Sequence, residues 1–405
     1  MQDSLFALST PFTPPTTEED ELAVLRLIRS RRVGPTTYAR LIAEYGTAQA
    51  ALVALPEVAR AAGVAGYATC PEAVAIAELR AGRRAGARLL CLGQAAYPAA
   101  LAQLADAPPV LWLRGDAGLL GRPMVALVGA RNASSLGLRM ARKLAEGIAE
   151  AGITVVSGLA RGIDAAAHGA ALRGGTIAVL AGGIDIVYPP ENADLAQAIA
   201  QRGLALTEQP PGLEPQARHF PMRNRIISGL VRAVVVVEAA ARSGSLITAR
   251  LALDQGREVM AVPGHPLDAR AAGCNMLIRD GATLVRGGDD ILAALATPTD
   301  ATAAAESPAR SPEPKADHAP AGQPPAAKGM SETAPPRPAA AARTRADHVA
   351  LHRQILDRLG PSPIAEDQLI RDLCLPAATI APGLLALEID GRIRREPGGL
   401  LARIV

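Results

Sequence analysis

Between about residues 108 and 296 the apolar positions of this 405-residue chain follow two alternating rhythms. Short continuous apolar runs appear as MVALVG from 124, ITVVSG from 153, TIAVLAGG from 176, LALTE from 204, AVVVVEA from 233, EVMAVPG from 258 and ATLV from 282. The stretches between them, such as LRMARKLAEGIAEAG from 138 and SLITARLALDQG from 245, repeat apolar residues at i, i+3 and i+4, the helical spacing. Strands that are apolar along their whole length, separated by helices, belong to a parallel sheet covered on both faces. The pattern predicts an α/β fold, doubly wound, with about seven strands.

The flanks read differently. Residues 1–20 form a loose leader. Residues 21–86 have helical periodicity, with breaks expected at Gly34-Pro35, Gly46, Pro56 and Gly63, and predict a small helical N-terminal domain. Residues 87–107 connect it to the sheet. Residues 297–346 are dominated by Ala, Pro, Ser and Thr without periodicity and predict a flexible linker. Residues 347–405 regain periodicity. Three helices are expected at LHRQILDRL from 351, EDQLIRDL from 366 and TIAPGLLALEIDG from 379, then a wing at RIRREPGGLLARIV from 392. Pro382 is tolerated in the first turn of the third helix if Thr379 caps it.

Composition narrows the chemistry. Apolar residues make up 49% of the chain but aromatics only 2%, so each aromatic residue carries weight. A net charge of +3 is too small for bulk attraction to nucleic acid, and any such site must concentrate its arginines locally. The four cysteines (Cys70, Cys91, Cys274, Cys374) are widely spaced, with no metal-ligand pattern, and read as reduced thiols. The first twenty residues lack a signal peptide's basic start, and no apolar run approaches the ~20 residues of a membrane span. The expectation is a cytoplasmic protein without a membrane segment, metal or cofactor.

Ligands of an open parallel sheet bind beyond the carboxyl ends of its strands. Those ends read GARNASS from 129, SGLARGID from 157, AGG from 181 and EAAARSGS from 238. Glycine permits close backbone approach, serine caps the next helix, and arginine offers a fork to phosphate oxygens. Ordinary β–α turns need Gly and Ser too. Arg131, Arg161 and Arg242, each near a strand end, shift the reading toward one extended anion site. Neither G-x-G-x-x-G nor G-x-x-x-x-G-K-[ST] occurs, which disfavours dinucleotide and P-loop chemistry.

A second cluster, RHFPMRNRIISGL from 218, sets Arg218, His219, Phe220, Arg223 and Arg225 within eight residues. A ring among guanidinium groups suits stacked bases and phosphates. Phe220 could equally anchor the loop in the core, and Asn224 could be a structural hydrogen-bonder. Asp164 and His168 stand four apart at a helix start, a pairing more often a cap and a structural histidine than a catalytic one. Ser157, Ser243 and Ser245 lack the nucleophile-elbow context.

Taken in order, VALVGARNASSLG, VVSGLARGIDAAAHGAAL, YPPENADL, HFPMRNRIISGL, EAAARSGSLITARLALDQGREVMAVPG and GCNMLIRDGA resemble the DNA-processing protein A family (DprA, also called Smf). The resemblance spans residues 108–296 and extends to the flanking architecture, a helical N-terminal domain and a winged-helix-like C-terminal domain. It implies an extended Rossmann-like, mostly parallel sheet that binds single-stranded DNA, usually as a homodimer. It further implies protection of incoming DNA and loading of the RecA recombinase during natural transformation, without enzymatic activity. Carried over by motif, the DNA contacts are Gly129, Arg131 and Ser134; Ser157, Gly158 and Arg161; Phe220, Arg223, Asn224 and Arg225; and Ser243 and Gly244.

In RRVGPTTYARLIAEYG from 31, the Val33-Gly34-Pro35 turn resembles a helix-hairpin-helix, whose backbone amides can hold a phosphate, but Arg32 stands at the usual first glycine. A packing module resembling a sterile-alpha-motif domain is the alternative. The third C-terminal helix shows Leu, Ala and acids where a base-reading helix exposes Arg, Asn or Gln. It is expected to touch protein, or DNA non-specifically through Arg392, Arg394 and Arg395. The rival class is a Rossmann-like enzyme on a nucleotide-like phosphorylated substrate, for which Glu238 and Asp164 are the candidate carboxylates.

Overall fold

The computed structural model describes residues 13–296, 345–359, 364–373, 375–396 and 400–404. Most of the expected leader and linker lies outside the described residues, as does Cys374.

The helical domain begins inside the expected leader. Thr17 opens α1 (Glu18–Arg29), its hydroxyl accepting from the Asp20 N–H while the Asp20 carboxylate accepts from the Thr17 N–H. Backbone N–H groups of Thr16 and Thr17 hold that carboxyl far below the usual range. Pro35 takes the first position of α2 (Pro35–Tyr45), where its missing N–H has no partner to lose. The next helix, α3 (Ala48–Ala61), runs through Pro56, where the sequence suggested a break. Leu55, Ala51 and Ala59 are fully buried around that proline, and their packing outweighs one lost backbone bond. With α4 (Glu72–Arg84) these helices close over Leu25, Leu27, Tyr38 and Leu41.

The sheet starts earlier than the periodicity suggested. Antiparallel β1 (Arg88–Cys91) and β2 (Val110–Gly115), joined through α5 (Ala99–Ala102), extend it from seven strands to nine. β1 falls in the expected connector and is too short to show a period. The seven expected strands all form: β3 (Met124–Val128), β4 (Thr154–Ser157), β5 (Thr176–Val179), β6 (Leu204–Thr207), β7 (Ala233–Val236), β8 (Glu258–Ala261) and β9 (Thr283–Leu284). They pair in parallel, and the full order is β1-β2-β6-β5-β4-β3-β7-β8-β9.

Alternation along β3 shows how the layers divide. Val125 and Leu127 face α6 (Ser135–Glu150) and α7 (Ile163–Ala171). Met124, Ala126 and Val128 face the opposite core. Between β5 and β6 runs α8 (Ala193–Arg202), whose Ile199 packs near Trp112. The second core is closed by α9 (His219–Leu230), α10 (Ser245–Asp254) and α11 (Ala272–Arg279), while α12 (Gly288–Ala296) adds Ile291 to the first. From β3 the chain winds outward to β6, then returns beside β3 at β7. The switch point therefore lies between the carboxyl ends of β3 and β7.

The C-terminal unit comprises α13 (Arg345–Arg358), β10 (Ile364–Ala365), α14 (Glu366–Leu373), α15 (Ala377–Ile389), β11 (Ile393–Glu396) and β12 (Leu400–Arg403). Its sheet order β10-β12-β11 gives the winged-helix arrangement. Thr379 is not the cap of the third helix. Extended Pro376 precedes α15, so Pro382 lies inside it.

Gly82 of α4 faces Trp112 so closely that a Cβ would fall 2.0 Å from the ring. Trp112 is the sole tryptophan, and its Nε1 donates to Glu78 Oε1 at 3.2 Å. Gly82→Ala is expected to destabilise the protein by about 1–3 kcal/mol through overpacking and to shift its tryptophan fluorescence. An unchanged melting temperature and spectrum would remove this contact from the fold's supports.

Candidate nucleic-acid interface

The loop after β3 is locked to the loop after β7. Ala130 N–H donates to the Glu238 carbonyl at 2.7 Å, and a Cβ on Gly129 would lie 2.6 Å from Ile163 and 2.9 Å from that carbonyl. Gly129 thus serves close packing within the protein. Ser134 caps α6 as its sequence position suggests, accepting from the Gly137 N–H at 3.0 Å. Its own N–H and hydroxyl donate to the buried Glu238 carboxylate. The expected phosphate seat at this helix start is therefore filled from within, by a carboxylate that satisfies the same donors and dipole.

Beneath the loop after β4 lies a fully internal polar network. Gly158 and Ala160 N–H groups donate to Asp164 Oδ2 at 3.1 and 3.3 Å. Leu159 N–H donates to His168 Nε2 at 3.3 Å, and Thr176 Oγ1 donates to the Val155 carbonyl while sitting 2.7 Å from His168 Nδ1. Those partners fix the neutral tautomer with the proton on Nδ1. Asp164 and His168 do not face each other as a catalytic pair. Each anchors the loop.

Arg223 completes this network and corrects the sequence reading. It is only 6% exposed, and its Nη1 donates to the carbonyls of Gly158 and Val179 at 2.5 and 2.8 Å. A Cβ on Gly158 would collide with that guanidinium, so the glycine is required by an internal arginine. Burial pushes Asp164 up, with Arg223 partly opposing it, and pushes Arg223 down to about 10. Arg223 stays charged at neutral pH, but it faces inward.

Arg225 is a second correction. It is buried on the other side of α9, where it donates to the Asp106 carbonyl at 2.7 Å and pairs with Glu208 at 2.5 Å. Ser157 is also internal, its hydroxyl donating to the Leu127 carbonyl at 2.6 Å. The side chains of Arg225 and Ser157 are thus unavailable to a ligand. Asn224 accepts from Arg223 Nε at 3.1 Å, the structural role offered as its alternative.

What remains open is an aromatic platform. Phe220, second residue of α9, stands with Arg131 on its ring at 5.3 Å and Arg223 at 6.0 Å from the centroid. Tyr188 lies 5.7 Å from Phe220, tilted by 56°, and is 47% exposed. Sequence reasoning missed Tyr188, although its rarity in an aromatic-poor chain was a usable signal. Arg161 is exposed in the loop after β4 and pairs with Glu191. Across the switch point, Ser243 Oγ lies 2.8 Å from Ser245 Oγ, Gly244 has open space where a Cβ would be, and Arg242 is exposed. A groove of about 670 Å³ opens between α6 and α7, lined in part by Arg131, Asn132, Arg142 and Glu146.

Among the described residues no cluster of His, Cys, Asp or Glu is arranged to hold a metal ion. No helix among them is long and apolar enough to cross a membrane.

Comparison with known proteins agrees along the chain. A family model described as DNA recombination-mediator protein A matches residues 88–296, a DprA-like N-terminal HHH domain matches residues 18–81, and a DprA winged helix domain matches residues 334–399. The chain is 48% identical over 199 residues to the DNA processing protein DprA of Streptococcus pneumoniae, covering 49% of this chain and 70% of that protein. Protein Smf of Synechocystis is 37% identical over 315 residues, 75% of this chain and 76% of its own. The X-ray structure of DprA from Streptococcus pneumoniae superposes with a TM-score of 0.56 at 35% identity, covering 69% of this chain and 98% of that one.

Burial holds His168 down at about 3. The unfolded chain, with an ordinary histidine near 6.5, binds a proton that the folded protein refuses, so this residue's contribution to stability falls as pH drops from about 6.5 toward 3. The slope is at most about 1.4 kcal/mol per pH unit. Asp164, raised in the folded state, acts in the opposite direction below its own folded value. His168→Asn is expected to flatten the decline, measured as urea midpoints between pH 7 and 4. Parallel profiles for the variant and the parent would contradict the buried neutral histidine.

Proposed function

The chain belongs to the DNA recombination-mediator protein A family, and from that premise we propose that its strand-end platform binds single-stranded DNA so that RecA recombinase can be loaded on it. The observation that carries this reading is the Arg131–Phe220–Tyr188 assembly. Only unpaired bases expose faces to a ring, and a guanidinium beside that ring meets the adjoining phosphate. Arg131, Arg161, Phe220, Tyr188, Ser243 and Gly244 make the contacts. Gly129, Ser134, Ser157, Gly158, Arg223 and Asn224 shape the loops that present them, and Arg225 braces α9 from below.

Binding is favoured over hydrolysis by the carboxylates. Asp164 and Glu238 both have oxygens committed to backbone N–H groups, which supports a mediator without enzymatic activity. The protein works in the cytoplasm on DNA entering by natural transformation, protecting it before recombination. It acts as a homodimer, for which exposed Met276 of α11 and Leu284 of edge strand β9 supply apolar contact surface.

Fluorescence anisotropy with oligo-dT tests the platform. Affinity should fall by about 0.7 log unit per contacted phosphate per log unit of salt. Phe220→Ala and Tyr188→Ala should each weaken binding by roughly 5- to 150-fold, from about 1–3 kcal/mol per stacked base. Arg131→Ala should weaken binding to all sequences alike. Wild-type affinity in all three variants would overturn the site. RecA filament assembly on strands already coated by a single-strand-binding protein tests loading separately, and failure there with intact DNA binding would remove only the recombinase step.

A further inference from the structure

The helical and winged-helix domains meet through a seat that is both ionic and apolar. Arg40 of α2 reaches Glu366 at 3.1 Å and Glu388 at 3.5 Å. Arg395 of β11 also pairs with Glu366, at 2.6 Å. Arg32, in the turn before α2, donates to the Ile389 carbonyl. Leu385 and Ile389 of α15 are buried in the helical domain's own core, with Leu41, Ile42 and Leu55.

The turn itself is shaped for more than packing. Arg32 has a φ of 64° at the place where the hairpin pattern carries its first glycine. A non-glycine residue rarely adopts that conformation, so the hairpin geometry persists despite the arginine. Gly391 lies against it, where a Cβ would fall 2.8 Å from the guanidinium carbon. Arg31, Arg32 and Arg40 thus cluster at one hairpin. The C-terminal domain offers Arg32 and Arg40 what a nucleic-acid backbone would offer, closely spaced anionic and carbonyl oxygens. The Tyr67 ring lies 5.8 Å from the Arg31 guanidinium. Its arginines meet oxygens of a carbonyl and of carboxylates, so this face suits phosphates and does not read bases, and a duplex fits it as well as a single strand.

We infer that the hairpin face around Arg32 and Arg40 is a second DNA-backbone site, held closed by α14 and α15, whose Glu366, Glu388 and Ile389 carbonyl occupy its arginines. In the closed form neither the hairpin nor the end of α15 is free to meet DNA. The strand-end platform then acts alone and single strands are preferred. Separation of the two domains adds duplex binding.

The test uses the full chain with Glu366→Gln and Glu388→Gln together, which weakens the seat and leaves every arginine in place. Small-angle X-ray scattering should show expansion, and anisotropy with a 20-base-pair duplex should show binding strengthened roughly tenfold, the scale of one or two regained phosphate contacts. Adding Arg32→Ala and Arg40→Ala should abolish that gain. Oligo-dT binding, measured in parallel, should not fall below the parent value, because the platform residues are untouched, and this separates the inference from the platform reading. Expansion without a gain, or a gain that survives loss of both arginines, overturns the second site. Should the double variant stay compact, Glu366→Arg with Glu388→Arg forces the question. Compactness there too would show that these ion pairs do not close the face, and the inference fails.

Discussion

Arg223 lies where three pieces of backbone must converge, and its charge is used to hold them. The guanidinium bridges the carbonyls of Gly158, just past β4, and Val179, at the end of β5, while Phe220 stands a turn away on its own helix α9. Asp164, receiving the Gly158 and Ala160 N–H groups, provides the opposing charge. A buried ion is tolerated only when its hydrogen bonds and countercharge are supplied together, and removing one partner of such a pair typically costs about 3–5 kcal/mol. The position of the Phe220 ring is therefore set by a network that no ligand touches. Lysine would keep the charge but lose the fork that reaches two carbonyls at once.

The second organising interaction, Glu238 at the start of α6, has the same logic with the signs exchanged. A helix N-terminus at a switch point is a natural anion seat, and here the protein's own carboxylate takes it. Arg131 and the aromatic pair are what this edge leaves open to the proposed ligand. Net charge is only +3, so long-range attraction is weak, and the proposed binding mode has to draw its affinity from stacking and short-range arginine contacts. An aromatic-poor chain with two rings 5.7 Å apart at one sheet edge is consistent with that division of labour.

The central parallel strands were legible because each carries an apolar run buried on both faces, a pattern hard to produce otherwise. β1 was not, since a four-residue edge strand with an exposed Arg88 has no period to read, and β2, a single apolar run before the first expected strand, was missed with its partner. At the site, Phe220 was visible as a rare ring among arginines. The arginines themselves were not separable: Arg223 and Arg225 stand two residues apart on α9 and both look like free cations in the sequence. Their burial depends on Asp164 and on Glu208, which the fold brings in from distant positions. Nor could the sequence show that Gly129 and Gly158 make room for Ile163 and Arg223 rather than for phosphate.

The apolar third helix of the winged unit posed a puzzle in the sequence, being unsuited to reading bases. Its burial against the helical domain resolves it. Leu385 and Ile389 are apolar because they complete another domain's core, and Arg395, which looked like a free cation of the wing, is committed to Glu366. A winged helix whose third helix is seated on protein cannot place that helix in a groove at the same time. The fold's most familiar DNA-reading element is thus diverted to holding the chain's two flanking domains together, which leaves the loops of the central sheet as the proposed face for DNA. That arrangement follows from local constraints alone: small cores need partners to bury their apolar faces, and a hairpin carrying arginines needs anions.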